Sequence, residues 1–232
     1  MINITNLNKT FSNNIVINNL NLKIENSEIT ALVGFNGAGK STLIRIIAGL
    51  YKQDSGSITM PPNTKIGVLL GGDVSLYKNL TGYELIQYFG KLYGLENNTI
   101  KEQIEKLDKI LHFNDFINKQ SYTFSRGMKQ KIALVISIIH NPDILLLDEP
   151  STGLDLEATN DVINFIKYLK SQEKTILIAT HNIFEISDLS DSIAFISGGK
   201  IRKKILTKDF FSNCPANEKS TYLISEMKGV SK

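Results

Sequence analysis

A wound α/β domain with one helical insertion is the architecture predicted for this 232-residue chain. Three features predict it. Short apolar strands alternate with segments of helical spacing, a glycine-rich turn joins one such strand to the helix after it, and one central stretch is helical throughout. At 25.9 kDa the chain can bury a single full-sized core.

The elements follow in order. From Ile2 to Gly34, β-branched residues alternate with Asn and Thr, as in Ile15-Val16-Ile17 and Leu20-Asn21-Leu22-Lys23-Ile24, which is strand patterning. Ile29 to Val33 is a near-continuous apolar strand, and Lys40 to Leu50 carries Leu43, Ile46, Ile47 and Leu50 at helical steps. Gly56, Pro61 and Pro62 mark a turn region before a strand at Lys65 to Leu70. Between Thr81 and Lys119 the period changes. Leu85, Tyr88, Phe89 and Leu92, then Ile100, Ile104, Leu107 and Leu111, recur every three or four residues, predicting amphipathic helices with most of their apolar residues packed internally. A helix at Arg126 to Ile139, a strand at Ile144 to Leu147, a helix at Leu156 to Lys170 and a strand at Thr175 to Ala179 follow. A hairpin turning at Gly198-Gly199 closes the pattern, and from about Asn213 the chain is polar without a firm period. The expected organisation is one domain over 1–212, with a helical subdomain at about 75–140 inserted, and a short tail at 213–232.

Composition narrows the function classes. A net charge of +3, with Lys and Arg scattered, is too mild for a nucleic-acid surface, and no nucleic-acid partner is expected. Cys214 is the sole cysteine and no Cys/His cluster has metal-ligand spacing. The start, Met1-Ile2-Asn3-Ile4-Thr5, lacks a basic flank and apolar stretch, and runs such as Ile132 to Ile139 fall short of the roughly 18 to 20 residues that span a bilayer. A membrane role is expected only through a partner.

Two constellations carry chemistry. Gly34-Phe35-Asn36-Gly37-Ala38-Gly39-Lys40-Ser41, followed by Thr42, fits G-x-x-x-x-G-K-[ST], with a strand entering and a helix leaving. Chance would produce the pattern in on the order of one chain per hundred of this length, and the strand–loop–helix context lowers that further. Glycines let the backbone curl N–H groups onto phosphate oxygens, and the helix adds its positive end. Lys40 is placed for the β- and γ-phosphates and the Ser41 hydroxyl for Mg²⁺. Downstream, Ile144-Leu145-Leu146-Leu147 runs into Asp148-Glu149-Pro150. Alternation along a strand aims two adjacent carboxylates apart, Asp148 at a metal and Glu149 at an attacking water. Thr180-His181 ends the next apolar strand in the same way, so His181 can hold the γ-phosphate and the water in line with Glu149. His112 and His140 sit among helical residues and receive no role.

The segment Phe124-Ser125-Arg126-Gly127-Met128-Lys129-Gln130-Lys131, before a helix and 23 residues ahead of Asp148, resembles the Leu-Ser-Gly-Gly-Gln signature of the ATP-binding cassettes of ABC transporters. Ser151-Thr152-Gly153-Leu154-Asp155 resembles that family's D-loop, and the resemblance runs from about Leu7 to Lys204 with five motifs in order. It implies a P-loop NTPase core built on a mostly parallel sheet, an N-terminal antiparallel β subdomain and the helical insertion. It implies ATP and Mg²⁺ as ligands, with Phe11 stacking on adenine. The absence of an Asn-Lys-x-Asp element favours ATP over GTP. Ser125 and Gly127 would form a second anion site that closes on the nucleotide of another chain, so the expected partners are a second ATP-binding subunit, identical or not, and a transmembrane permease subunit. The expected location is the cytoplasmic face of the cell membrane, held peripherally by that permease.

Three departures stand out. Arg126 and Met128 replace a glycine and the glutamine of the signature, and Arg126 still favours phosphate electrostatically. Gly71, in Ile66-Gly67-Val68-Leu69-Leu70-Gly71, stands where the family's Q-loop glutamine belongs. Ser27-Glu28 lacks a glycine common before the P-loop strand. Gly71-Gly72-Asp73, Leu76 to Thr81 and Tyr88 to Gly94 look most like cassettes of small bacterial exporters of drugs, peptides or sodium. Two alternatives are a soluble cassette ATPase of translation or repair type, and a catalytically slow cassette that senses nucleotide.

Overall fold

The computed structural model describes residues 1–72, 76–212, 214 and 218–228. Strands β1 (Ile2–Phe11) and β2 (Asn14–Ile24) form a hairpin, and β3 (Ile29–Val33) leads through the glycine-rich turn into α1 (Lys40–Ile47). Strand β4 (Ser55–Thr59) returns to pair with β1, giving an antiparallel sheet of order β2-β1-β4. Then come β5 (Ile66–Leu69), α2 (Gly82–Leu92), α3 (Asn97–Leu111) and α4 (Arg126–Ile138). Strand β6 (Ile144–Asp148), α5 (Leu156–Ser171), β7 (Thr175–Ala179), α6 (Ile183–Leu189) and the hairpin β8 (Ser192–Ser197) with β9 (Lys200–Leu206) complete the core. Two further helices, α7 (Thr207–Ser212) and α8 (Lys219–Lys228), follow. The main sheet runs β5-β6-β7-β3-β8-β9, parallel except for β9.

Buried strands in this sheet split their side chains between two cores, as period-two geometry requires. Leu145 and Leu147 of β6, with Ile176 and Ile178 of β7, pack against the helical insertion and α5. Ile144, Leu146, Leu177 and Ala179 pack on the other face with α1 and the antiparallel sheet. Asp148 continues the Ile144–Leu146 series and so falls on the α1 side.

The expected α/β architecture holds, with its antiparallel β subdomain and helical insertion. Details differ for physical reasons. Helix α1 stops at Ile47, because Gly49 adopts φ 74° and turns the chain, leaving Leu50 57% exposed rather than inward. In α2 the buried face is Gly82, Leu85, Ile86 and Gly90, whereas Tyr88 and Leu92 face out. At Gly90 a Cβ would sit 2.7 Å from Ile100 Cδ1, so the missing side chain makes room for Ile100 of α3. Helix α8, in the stretch without a firm period, presents Leu223 to the core beside Phe210, with Tyr222 and Met227 packed around it. Asp73, and residues 213, 215–217 and 229–232 of the expected tail, lie outside the described residues.

Candidate nucleotide-binding site

Register aligns the working ends of the strands. Asp148 pairs with Ala179, Ala179 with Leu32, and Leu147 with Leu69, so the residues that follow each strand emerge along one edge of the sheet. Gly34, Gly71, Glu149 and Thr180-His181 all leave from that edge. This is the carboxyl edge, where open α/β sheets hold their ligands.

At the turn after β3, Gly37 (φ 81°) and Gly39 (φ 103°) occupy the left-handed region that glycine tolerates best. Gly39 caps α1 without a side-chain hydrogen bond, so the first N–H groups of the helix stay available to an anion. It also has to be glycine for space: a Cβ would lie 2.9 Å from the Val16 carbonyl and the Ile17 side chain. Asn36, Gly37, Gly39, Lys40, Ser41, Thr42 and Glu149 line an open cleft of about 300 Å³ together with Asn14 and Val16 of β2. Ala38 instead packs into the α1 core, and its N–H bonds the Phe35 carbonyl at 3.1 Å. Lys40, 6% exposed, donates to the carbonyls of Gly34 (2.7 Å) and Phe35 (3.1 Å). Burial holds its ammonium below the usual amine range, opposed by the charges of Glu149 and Asp148. A buried cation that donates to two backbone carbonyls is poised to exchange them for phosphate oxygens.

Asp148 is buried, and among the described residues no side-chain hydrogen bond or ion pair engages its carboxylate. Glu149 sits beyond the strand end at φ 50°, its N–H bonded to the Ala179 carbonyl at 2.8 Å. The divergence of the two carboxylates therefore comes from this left-handed residue and not from strand alternation alone. Thr152 Oγ1 donates to Glu149 Oε2 at 3.1 Å, and His181 Nδ1 lies 3.4 Å from Glu149 Oε1. The two groups expected to act on water are thus adjacent. Gly71 lies against the same centre: a Cβ there would be 3.0 Å from the Asp148 carbonyl and 3.2 Å from its carboxyl carbon. A side chain at 71 has to displace Asp148 or be displaced.

Phe11, at the β1–β2 hairpin, is 39% exposed, edge-on to Tyr51 at 5.5 Å, with the Lys9 ammonium 5.2 Å from its ring. Its cross-strand partner Asn14 lines the Lys40 cleft, whereas Phe11 itself is not among the lining residues. Asn14 and Val16 escaped notice in the sequence because a polar residue and a β-branched residue in a hairpin carry no chemical signal.

Ser125 and Gly127 are not brought to this cleft. Ser125 caps α4, accepting from the Met128 N–H at 3.2 Å, and Met128 Sδ faces the Ser125 N–H at 3.5 Å where a capping glutamine would bond more strongly. The start of α4 packs on the segment 150–158, which contains its own D-loop. Gln130 Nε2 donates to the Pro150 carbonyl at 2.6 Å, and a Cβ on Gly127 would meet Ala158 at 3.2 Å. The Arg126 guanidinium lies across Gly153 (φ 73°), where a Cβ would come 2.5 Å from its Cζ. Arg126 is thus spent partly on the D-loop, a contact its sequence does not announce.

Comparison with known proteins agrees with this geometry. The family model described as "ABC transporter" matches residues 17–152. The chain is 42% identical over 195 residues to the ABC transporter ATP-binding protein NatA of Bacillus subtilis, spanning 80% of this chain and 79% of that one. It is 35% identical over 217 residues to the lantibiotic transport ATP-binding protein SrtF of Streptococcus pyogenes, covering 90% and 91%. A solved ATP-binding subunit of an ABC transporter superposes with TM-score 0.84 at 24% identity over 97% and 99% of the two chains. The chain belongs to the ABC transporter family, as an ATP-binding cassette with that family's ATPase activity.

Proposed function

We propose that this cassette powers an exporter: it binds ATP, closes on a second cassette, hydrolyses the nucleotide and passes the motion to a separate membrane-spanning subunit. One observation carries the two-cassette part. The signature residues Ser125 and Gly127 stand on the D-loop side of their own chain, outside the cleft of Lys40, so they can reach a terminal phosphate only across an interface. Export is supported by relatives whose names state it, including the SkfA peptide export ATP-binding protein SkfE of Bacillus subtilis, 31% identical over 89% of this chain and 90% of that one. Among the described residues no helix is long and apolar enough to cross a membrane, which leaves the channel to a partner. The outward face of the helical insertion, with Tyr77, Tyr83, Tyr88 and Leu92 exposed, supplies amphipathic anchors for that partner's cytoplasmic helices. Such a partner would hold the cassette at the cytoplasmic face of the membrane.

In this reading the turn N–H groups and Lys40 hold the β- and γ-phosphates, and Phe11 stacks on the adenine. Ser41 and Asp148 supply a hydroxyl and a carboxylate that make no other side-chain bond among the described residues, a hard oxygen pair suited to Mg²⁺. When bound, Mg²⁺ neutralises charge on the phosphates. Glu149 accepts a proton from the attacking water, and His181 orients the γ-phosphate and that carboxylate.

Glu149→Gln tests the whole reading. It should cut hydrolysis by on the order of 100-fold or more while nucleotide binding persists, and with ATP and Mg²⁺ the protein should double its mass in light scattering. Adding Ser125→Arg should keep it monomeric with nucleotide bound. A Glu149→Gln protein that binds ATP and stays monomeric would refute dimer closure, and one that hydrolyses normally would refute the role of Glu149.

A further inference from the structure

Glu149 and His181 meet at 3.4 Å, yet both side chains are partly open to solvent, 26% and 58% exposed. A solvent-facing pair of this kind contributes too little to fix its own geometry. Their backbones leave the neighbouring strands β6 and β7, which the sheet joins through the Glu149 N–H and the Ala179 carbonyl at 2.8 Å, but that bond does not fix the turn and loop that aim the two side chains. Directly behind is Glu185 in the first turn of α6, 1% exposed. Its Oε1 accepts a hydrogen bond from Ser151 Oγ, two residues after Glu149. Asn182 Nδ2 donates to the same Ser151 oxygen at 3.4 Å, while Asn182 Oδ1 caps α6 by accepting from the Phe184 N–H at 3.0 Å. The Asn182 N–H in turn bonds Thr180 Oγ1 at 3.0 Å. One network therefore joins the turn that carries Glu149 to the loop that carries His181. Glu185 Oε2 is fully enclosed without a hydrogen bond of normal geometry, a costly feature in an otherwise apolar helix face of Ile186 and Leu189.

We propose that Glu185 is a positioning residue for hydrolysis: by holding Ser151 it fixes the distance and angle between Glu149 and His181 across the two strand ends. It does not touch nucleotide. The proposal rests on Glu149 and His181 acting on the water. Burial pushes the Glu185 carboxyl up, the nearby Glu149 charge adds to this, and hydrogen bonds from Ser151 and Thr180 together with His181 only partly offset it.

The test uses the full chain and four variants: Glu185→Ala, Glu185→Gln, Ser151→Ala and the Ser151→Ala/Glu185→Ala double. Glu185→Ala should lower kcat by about 10- to 100-fold, with the KM for ATP and the affinity for a non-hydrolysable ATP analogue within about two-fold of wild type. Glu185→Gln, which keeps a donor and an acceptor, should recover most of the rate. Ser151→Ala should reproduce the loss, and the double variant should be no worse than the worse single, because one linkage is broken twice. A full kcat in Glu185→Ala, additive losses in the double, or losses in kcat and analogue affinity that track the thermal midpoint would each overturn the proposal. Glu149→Gln run alongside separates the two levels. If it abolishes hydrolysis while Glu185→Ala does not, only the positioning role fails; if it hydrolyses normally, the water-activating pair fails and the proposal with it.

Discussion

The Lys40 turn and the Ser125 helix start of this cassette are built in opposite ways. The Lys40 half is self-sufficient: left-handed Gly37 and Gly39, an uncapped helix start and a dehydrated lysine sit within eight residues of one another. The Ser125 half is borrowed structure. Its helix is steadied by Gln130 on the Pro150 carbonyl, by Gly127 against Ala158 and by Arg126 across Gly153, all from a segment twenty or more residues away. The difference explains why the first half matches its family's pattern and the second departs from it. A backbone cradle for phosphate admits almost no substitution, whereas a helix cap braced by a neighbouring loop can absorb Arg126 and Met128 if the loop provides room.

The comparison breaks most directly at Lys40. Lys40→Ala should lower ATPase activity by on the order of 100-fold or more, and Arg126→Ala by less than about ten-fold, measured as kcat/KM under identical Mg²⁺. Equal losses would show that the signature half is as intolerant as the cradle. The next effect in size sharpens the account of Gly153. Gly153→Ala places a Cβ in a left-handed residue and against the Arg126 guanidinium. Urea unfolding should show a loss of about 1 to 2 kcal/mol, smaller when Arg126→Ala is already present, because the clash is then gone. Additivity would mean that the two residues do not share a contact.

The smallest effect concerns the departure at Ser27-Glu28, where the missing glycine has become a polar tie. Glu28 accepts from the Glu25 N–H (2.7 Å), from Lys204 (2.8 Å to Oε1) and from Ser192, linking the start of β3 to the closing hairpin. Burial alone would raise its carboxyl, but the bonds from Lys204, Ser192 and the Glu25 N–H outweigh it and hold the group below the usual glutamate range. A carboxylate depressed in the folded state contributes stability above its unfolded pKa and loses it as pH falls through the folded one. Glu28→Gln should therefore cost about 1 kcal/mol or less near pH 7, because the site is partly open to solvent. The deficit should shrink in thermal melts as pH falls below the ordinary glutamate value of about 4.3 and vanish once pH is below the depressed pKa of the folded group. A deficit independent of pH would mean that shape, and not charge, is what Glu28 supplies.

The sequence by itself determined the strand–helix alternation, the cradle and the two chemical strand ends, because each is local: period two or 3.6, a glycine where φ must be positive, a carboxylate after an apolar run. It placed β7 at Thr175–Ala179 and the closing turn at Gly198-Gly199 for the same reason. What only the tertiary structure decided depends on partners distant in the chain. Tyr88 and Leu92 carry helical spacing but point outward, while Gly82, Leu85, Ile86 and Gly90 take the inner face and Gly90 makes room for Ile100. Arg126 looks like a free cation until Gly153 is laid beneath it, and Glu185 looks like an ordinary helix-surface acid until Ser151 closes over it. Periodicity encodes that a residue lies on a face, but the burial and hydrogen bonding that give the face its function come from segments the period cannot see.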